Sequence, residues 1–185
     1  FVMIFGGLIY PERWLSEGAK VMPTTYPIKA PIYAITKSTN YLPNVLMQME
    51  AKGAGFDNGV FVDDRGHVGE SSNMNVAFVT RDGVLAHPKF EHVLAGCTSL
   101  RLLELAVALR DEGLVKDIEV RDISIDEARA SREMILAGSS VKVVSIVQWD
   151  DQVIGDGKPG PVANALRELL DEDMRAGDRL IDVPY

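Results

Sequence analysis

Lys37 and Glu70 are the residues through which this sequence could do covalent chemistry. Lys37 follows the apolar stretch Tyr33-Ala-Ile-Thr and precedes the small polar residues Ser38, Thr39 and Asn40. At the end of a buried strand, an amine in that setting is held fixed and partly desolvated. Desolvation lowers its pKa and frees the lone pair needed to attack a carbonyl carbon. Glu70 stands just past a hairpin pattern, in the run Gly69-Glu-Ser-Ser-Asn-Met-Asn75 of small hydrogen-bonding residues. A carboxylate there can face a cationic ring nitrogen. Taken singly, a lysine and a glutamate after a turn are also common on a solvated surface, and spacing alone leaves both readings open.

The elements that must position these two residues are legible from periodicity and turn residues. Ala19 to Met22 reads as a strand, and Pro23, Pro27 and Pro31 predict that Thr24 to Tyr33 stays extended. Tyr33 to Ile35 then forms the strand that delivers Lys37. Asn40 is the expected cap of the next helix, where Pro43 falls in the first turn and Leu42, Val45, Leu46 and Met49 share one face. Gly59 to Val62 and His67 to Glu70 form a hairpin about Asp63-Asp-Arg-Gly66, and Val76 to Val79 and Val84 to Ala86 form another about Asp82-Gly83. Thr98 to Arg110 is the clearest helix, with Leu102, Leu105, Ala106 and Leu109 on one face and Gly113 as its stop.

The remaining segments complete a single domain. Phe1 to Tyr10 reads as a buried strand, and Pro11 to Gly18 as a turn or one helical turn. Ile118 to Val120 is a strand, and Ile125 to Ala130 a short helix capped by Ser124. Met134 to Ala137 and Val141 to Val147 are strands broken by Gly138-Ser139-Ser140, and Pro161 to Arg175 is a closing helix. Strands outnumber helices and several join as hairpins, so the expected fold is α+β with a mixed or largely antiparallel sheet.

Composition excludes several function classes. The 185 residues carry a formal net charge of −8 and no basic run, which argues against nucleic-acid partners. Cys97 is the single cysteine, so there is no internal disulfide or thiolate cluster. His67, His87 and His92 lack metal-ligand spacing, and no metal is expected. No apolar run approaches the roughly 20 residues of a membrane helix, and the opening segment lacks the basic flank of a signal peptide.

Three motifs taken together carry a family resemblance. Lys37-Ser-x-Asn-x-Leu-x-Asn-Val-Leu, Glu70-x-x-x-x-Asn75 and Leu94-x-Gly96-x-Thr98 resemble the class IV pyridoxal-phosphate aminotransferases. That family includes D-amino-acid transaminases, branched-chain aminotransferases and aminodeoxychorismate lyases. Similarity to the plant chloroplast D-amino-acid transaminase type spans nearly the whole chain, through Val147-Gln-Trp-Asp150 and Gly155-x-Gly157-Lys-x-Gly160-Pro161 to Val183-Pro-Tyr185. The resemblance implies that residues 1–185 form the family's large C-terminal, cofactor-bearing domain. That domain is a pseudo-barrel of mixed sheet flanked by helices, and the small N-terminal domain has no counterpart here.

The resemblance also implies pyridoxal 5'-phosphate as cofactor, amino acid and 2-oxo acid substrates, a homodimer, and a chloroplast location with the cytoplasm as the alternative. Transamination of a D-amino acid is the implied reaction. Aminodeoxychorismate lysis and branched-chain transamination are alternatives, and a reading of another class is a truncated, weakly active cofactor scaffold. Residue by residue, Lys37 matches the Schiff-base lysine, and Glu70 the carboxylate facing the pyridine nitrogen. Tyr41 matches a residue near the phenolic oxygen, and Asn75 one that orients Glu70 or its loop. Cys97 and Thr98 match one phosphate turn, with Cys97 in place of the usual Ile, and Ser139 and Ser140 match the second. Lys142-Val-Val-Ser145 departs from the family's common Glu-Ile-Thr-Pro, which puts a substrate-side role for that strand in doubt.

Overall fold

The computed structural model describes residues 2, 4, 6 and 10–182, so the strand expected over residues 1–10 falls largely outside it. In chain order the elements are α1 (Arg13–Ser16), β1 (Ala19–Pro23), α2 (Pro31–Ala34), α3 (Leu42–Gly53), β2 (Asn58–Val62), β3 (Val68–Ser71), β4 (Asn75–Val79) and β5 (Val84–His87). They continue with α4 (Cys97–Asp111), β6 (Asp117–Val120), α5 (Ile125–Arg129), β7 (Glu133–Gly138), β8 (Lys142–Trp149), β9 (Gln152–Val153) and α6 (Pro161–Ala176). No described helix is long and apolar enough to cross a membrane.

All the described strands join one mixed sheet in the order β3-β2-β1-β8-β7-β4-β5-β6, with β9 on β8. β1 runs parallel to both β2 and β8, and β5 parallel to β6; the other pairings are antiparallel. Chain connectivity forces this sheet to curl. β3 and β4 are five strand positions apart, yet only Ser72, Asn73 and Met74 connect them. Four Cα steps reach at most about 14 Å, whereas five spacings of a flat sheet cover about 24 Å. The sheet therefore folds round on itself, and Met74 O accepting from Ser71 N at 2.9 Å fixes the strap between the two strands. This is the pseudo-barrel expected above.

Alternation along the strands builds two apolar layers. Val76, Phe78, Met134, Leu136, Val144 and Ile146 point to one side, with Trp14, Val21, Val60 and Trp149. Ala77, Val79, Ile135, Ala137 and Val143 point to the other, where Leu102, Ala106 and Leu109 of α4 and Leu166 and Leu170 of α6 cover them. α6 starts at Pro161, and its first backbone N–H groups are met by a buried carboxylate from β7. Glu133 accepts from Val162 N at 3.0 Å and Ala163 N at 2.9 Å. Glu133→Ala would leave both buried donors unpaired and is expected to cost about 3 kcal/mol, since each such charge-assisted bond contributes about 1.5–3 kcal/mol. Urea unfolding of the two proteins measures it, and a cost under about 1 kcal/mol would show that water replaces the carboxylate.

Four local expectations are corrected. Thr24 to Tyr33 is not extended throughout, because Pro31 occupies the first turn of α2, where its missing N–H costs nothing. Lys37 is thus delivered by a loop after a helical turn and not by a strand. Asn40 does not cap α3; its N-cap is Tyr41, without a side-chain bond. Of the stripe Leu42, Val45, Leu46 and Met49, Leu46 is half-buried and the other three are exposed, while Asn44, Met47 and Ala51 turn inward.

Candidate active site

Lys37 sits in a tight polar loop between α2 and α3. Thr36 Oγ1 donates to Ile32 O at 2.7 Å and closes α2, and Tyr41 N donates to Thr39 O at 3.0 Å. Small hydroxyl residues can bond their own backbone in this way, which is why the chain leaves the helix here. The Lys37 ammonium donates to Tyr41 Oη at 2.8 Å.

Glu70, on β3, is buried with a relative exposure of 6%. Its Oε1 lies 3.1 Å from Lys29 Nζ, and its Oε2 accepts from Leu94 N at 3.0 Å. Burial pushes its pKa above the ordinary carboxylate value, against the opposing pull of the Lys29 charge and the Leu94 N–H. Asn75, on β4, does not bond Glu70. Its Nδ2 donates to Leu94 O at 2.8 Å, and its Oδ1 accepts from Ser99 Oγ at 3.1 Å. Glu70 and Asn75 therefore grip the two polar atoms of one residue in the loop leading to α4. Gly96 permits this approach, because a Cβ there would collide with the side-chain Oδ1 of Asn75.

The two small polar turns meet across the curled sheet. α4 opens at Cys97 with no side chain capping its first turn among the described residues, so N–H groups remain for an anion. Cys97 Sγ stands 4.0 Å from Ser139 Oγ, at the end of the β7–β8 hairpin. Lys37, Tyr41, Glu70, Asn75, Cys97, Thr98 and Ser139 all line one hollow of about 300 Å³. Ser140, the remaining predicted site residue, does not: it lies exposed at the hairpin turn. Lys142 turns away to pair with Asp171 of α6.

Two residues of the hollow escape sequence reasoning. Lys29 pairs with a carboxylate far along the chain, and no local pattern announces that. Asn44 is 4% exposed, donates from Nδ2 to Ser72 O, and leaves Oδ1 without a partner among the described residues. Its signal is its place as the second Asn of the motif Lys37-Ser-x-Asn-x-Leu-x-Asn-Val-Leu, which carried no role of its own.

The loop that supplies Leu94 and Gly96 begins at His87, which is buried beside Phe90 with ring centroids 4.4 Å apart. Nδ1 bonds Pro88 O at 2.7 Å and Nε2 has no partner among the described residues, so burial drives the pKa down to about 4. A base whose folded pKa lies below its unfolded value of about 6.5 stabilises the fold above pH 6.5, and that stability is lost as pH falls toward 4. The expected loss is about 3 kcal/mol at most. Urea midpoints measured between pH 7 and pH 4 should fall less steeply for His87→Phe than for the native chain; equal slopes would exclude His87 as the cause.

Comparison with known proteins gives the family and agrees with the fold. The model of the family described as "Amino-transferase class IV" matches residues 13–149. The chain is 46% identical over 171 residues to the chloroplastic D-amino-acid transaminase of Arabidopsis thaliana, covering 91% of this chain and 46% of that protein. It is 30% identical over 165 residues to the branched-chain-amino-acid aminotransferase of Pseudomonas aeruginosa, covering 88% of this chain and 52% of that one. The solved structure of a branched-chain amino acid aminotransferase from Escherichia coli superposes with a TM-score of 0.77 at 26% identity, covering 84% of this chain and 52% of the other. The chain thus spans about half the length of these relatives.

Proposed function

The chain belongs to the class IV aminotransferases, and from that premise we propose that it holds pyridoxal 5'-phosphate through Lys37 and serves transamination between a D-amino acid and a 2-oxo acid. One observation carries the reading: a lysine amine, a buried carboxylate and an uncapped helix N-terminus line the same hollow. The donor set fits the cofactor group by group. The amine suits its aldehyde carbon, the carboxylate its pyridine nitrogen, and the α4 N–H groups with Ser139 its phosphate. Asn44, also on the wall of the hollow, has a buried Oδ1 without a partner among the described residues.

When bound, pyridoxal phosphate supplies an electron sink that makes a substrate Cα proton acidic. Lys37 Nζ would take that proton from the substrate Cα and deliver it to the cofactor's former aldehyde carbon, and Tyr41 Oη keeps the amine aimed. The Glu70 carboxylate favours a protonated ring nitrogen. Asn75 holds the Leu94 loop, which positions both Glu70 and the start of α4.

The 46% identity to a D-amino-acid transaminase supports D-amino acids over branched-chain substrates, and its plant setting supports a chloroplast location. Borohydride reduction with pyridoxal phosphate, followed by peptide mapping, should place the adduct on Lys37; an adduct on Lys29 or Lys52 would overturn the assignment. Turnover of D-alanine with 2-oxoglutarate, set beside L-leucine and aminodeoxychorismate, decides among the transaminase, branched-chain and lyase readings. Ile32, Tyr33, Ile35, Leu42 and Val45 are exposed on α2, α3 and the loop between them, beside the Lys37 loop. That apolar face supports a homodimer in which a second copy completes the site. Sedimentation of cofactor-loaded protein should give a dimer mass, and a monomer that turns over substrate would overturn it.

A further inference from the structure

Lys29 is the one cation bonded to Glu70 among the described residues. It lines the hollow, and Glu70 is its only ion-pair partner in the described set. The segment carrying it is docked on β3. Ile28 Cδ1 occupies the space where a Cβ of Gly69 would stand, so the segment packs directly against the strand there. That contact sets Lys29 beside Glu70, the next residue along. Pro27 and Pro31 bracket the segment and restrict its backbone. The side chains of the pair are only 12% and 7% exposed. The Lys29 ammonium also lies 5.9 Å from the centroid of the Tyr41 ring, with Lys37 at 5.4 Å.

We propose that Lys29 is a positioning residue that holds Glu70 ionised and aimed into the hollow, keeping it ready for a cationic ring nitrogen. The proposal rests on the reading of the hollow as a pyridoxal-phosphate site. A buried carboxylate with no counter-charge takes up a proton rather than bear its desolvation, and a protonated Glu70 offers no anion to the ring. Oε2 is already committed to Leu94 N, so Oε1 is the oxygen that Lys29 steadies. The titratable groups facing Glu70 across the hollow are Lys29, Lys37 and Tyr41 on the α2–α3 side and Cys97 at the start of α4. Behind Lys29 a second hollow of about 230 Å³ gathers Asp63, Asp64, Arg65 and His67 of the β2–β3 hairpin with Lys89, His92 and Asp122. In that second hollow Lys89 is paired with Asp122 and His67 with Asp63.

The test reads Glu70 directly. Carbon-13 NMR of the Glu70 carboxyl in the cofactor-free chain should show its titration midpoint rising by about one pH unit or more in Lys29→Met, while Lys29→Arg stays near the native value. Lys29→Gln serves as a second neutral variant should the methionine form fail to fold. Pyridoxal-phosphate affinity, measured by equilibrium dialysis from pH 6 to pH 9, supplies the other arm. The ratio of Kd values, Lys29→Met over native, should grow a few fold as pH falls, matching the few-fold effect expected of Glu70→Gln, and this growth should vanish in a Glu70→Gln background. An unmoved Glu70 midpoint in a folded neutral variant overturns the proposal. A native chain with the expected Glu70 behaviour but no affinity for the cofactor would instead overturn the reading of the hollow and leave the ion pair standing.

Discussion

Lys37→Ala is expected to abolish covalent cofactor attachment and to lower transamination by about a thousandfold or more. On the proposed function, two roles reside in one amine: attachment of the carbonyl group, and transfer of the substrate's Cα proton. General acid–base catalysis alone contributes about 10²–10⁴-fold. Lys37 lies exposed in the α2–α3 loop, and its one described hydrogen bond is to Tyr41. The fold therefore gains little from it, and unfolding midpoints should move by no more than about 0.5 kcal/mol in equivalent stability. Lys37→Arg is the informative companion, because it keeps the charge and loses the nucleophile. It should be as inactive as the alanine form, whereas substantial turnover by either would show that another group carries the proton. Borohydride reduction should leave the peptide containing residue 37 unlabelled in both variants.

Glu70→Gln is expected to keep cofactor binding within a few fold while reducing turnover about a hundredfold. Glutamine matches the size of glutamate, and its carbonyl oxygen can still accept from Leu94 N, so the loop toward α4 stays in place. What is lost is the negative charge that favours a protonated ring nitrogen. Losing a hydrogen bond between charged groups costs about 1.5–3 kcal/mol, or roughly ten- to over a hundredfold, and that loss is expected in the step that draws on the protonated ring rather than in binding. Turnover of the native and Glu70→Gln proteins at saturating substrate, with absorbance used to confirm cofactor loading, gives the ratio. Near-native rates, alongside an inactive Lys37→Ala control, would reduce Glu70 to an anchor for Leu94.

Much of this architecture can be read locally. Asp82-Gly83 marks the β4–β5 turn, with Gly83 at φ 88°, and Ser124 caps α5 by accepting from Glu127 N. α4 follows from its apolar spacing and stops at Gly113, whose φ is 79°. The sequence motifs also bring seven of the eight candidate residues to one hollow. What stays hidden is set by non-local partners. Pro31 reads as a helix breaker until it is seen to begin α2, the one place in a helix that tolerates it. The stripe Leu42, Val45, Met49 is a genuine amphipathic signal, but periodicity does not say which face of α3 meets β2. Met47 and Ala51 do. Lys29 and Glu133 each act on groups that only the closed sheet brings near.

That closure also orders events in time. β1 lies between β2 and β8, and Ala19 pairs with Ile146, far along the chain. The strand that leads into the Lys29 segment therefore stays half-paired until β8 has been made. Pairings of such high sequence separation form slowly, because loop-closure entropy must be met before the contacts reward it. A nascent chain that has emerged only as far as β7 possesses Lys37, Glu70 and the start of α4 as residues, but holds them on an open ribbon. The hollow is a late product of folding, and an unclosed chain offers β1 as an exposed edge to any other strand it meets.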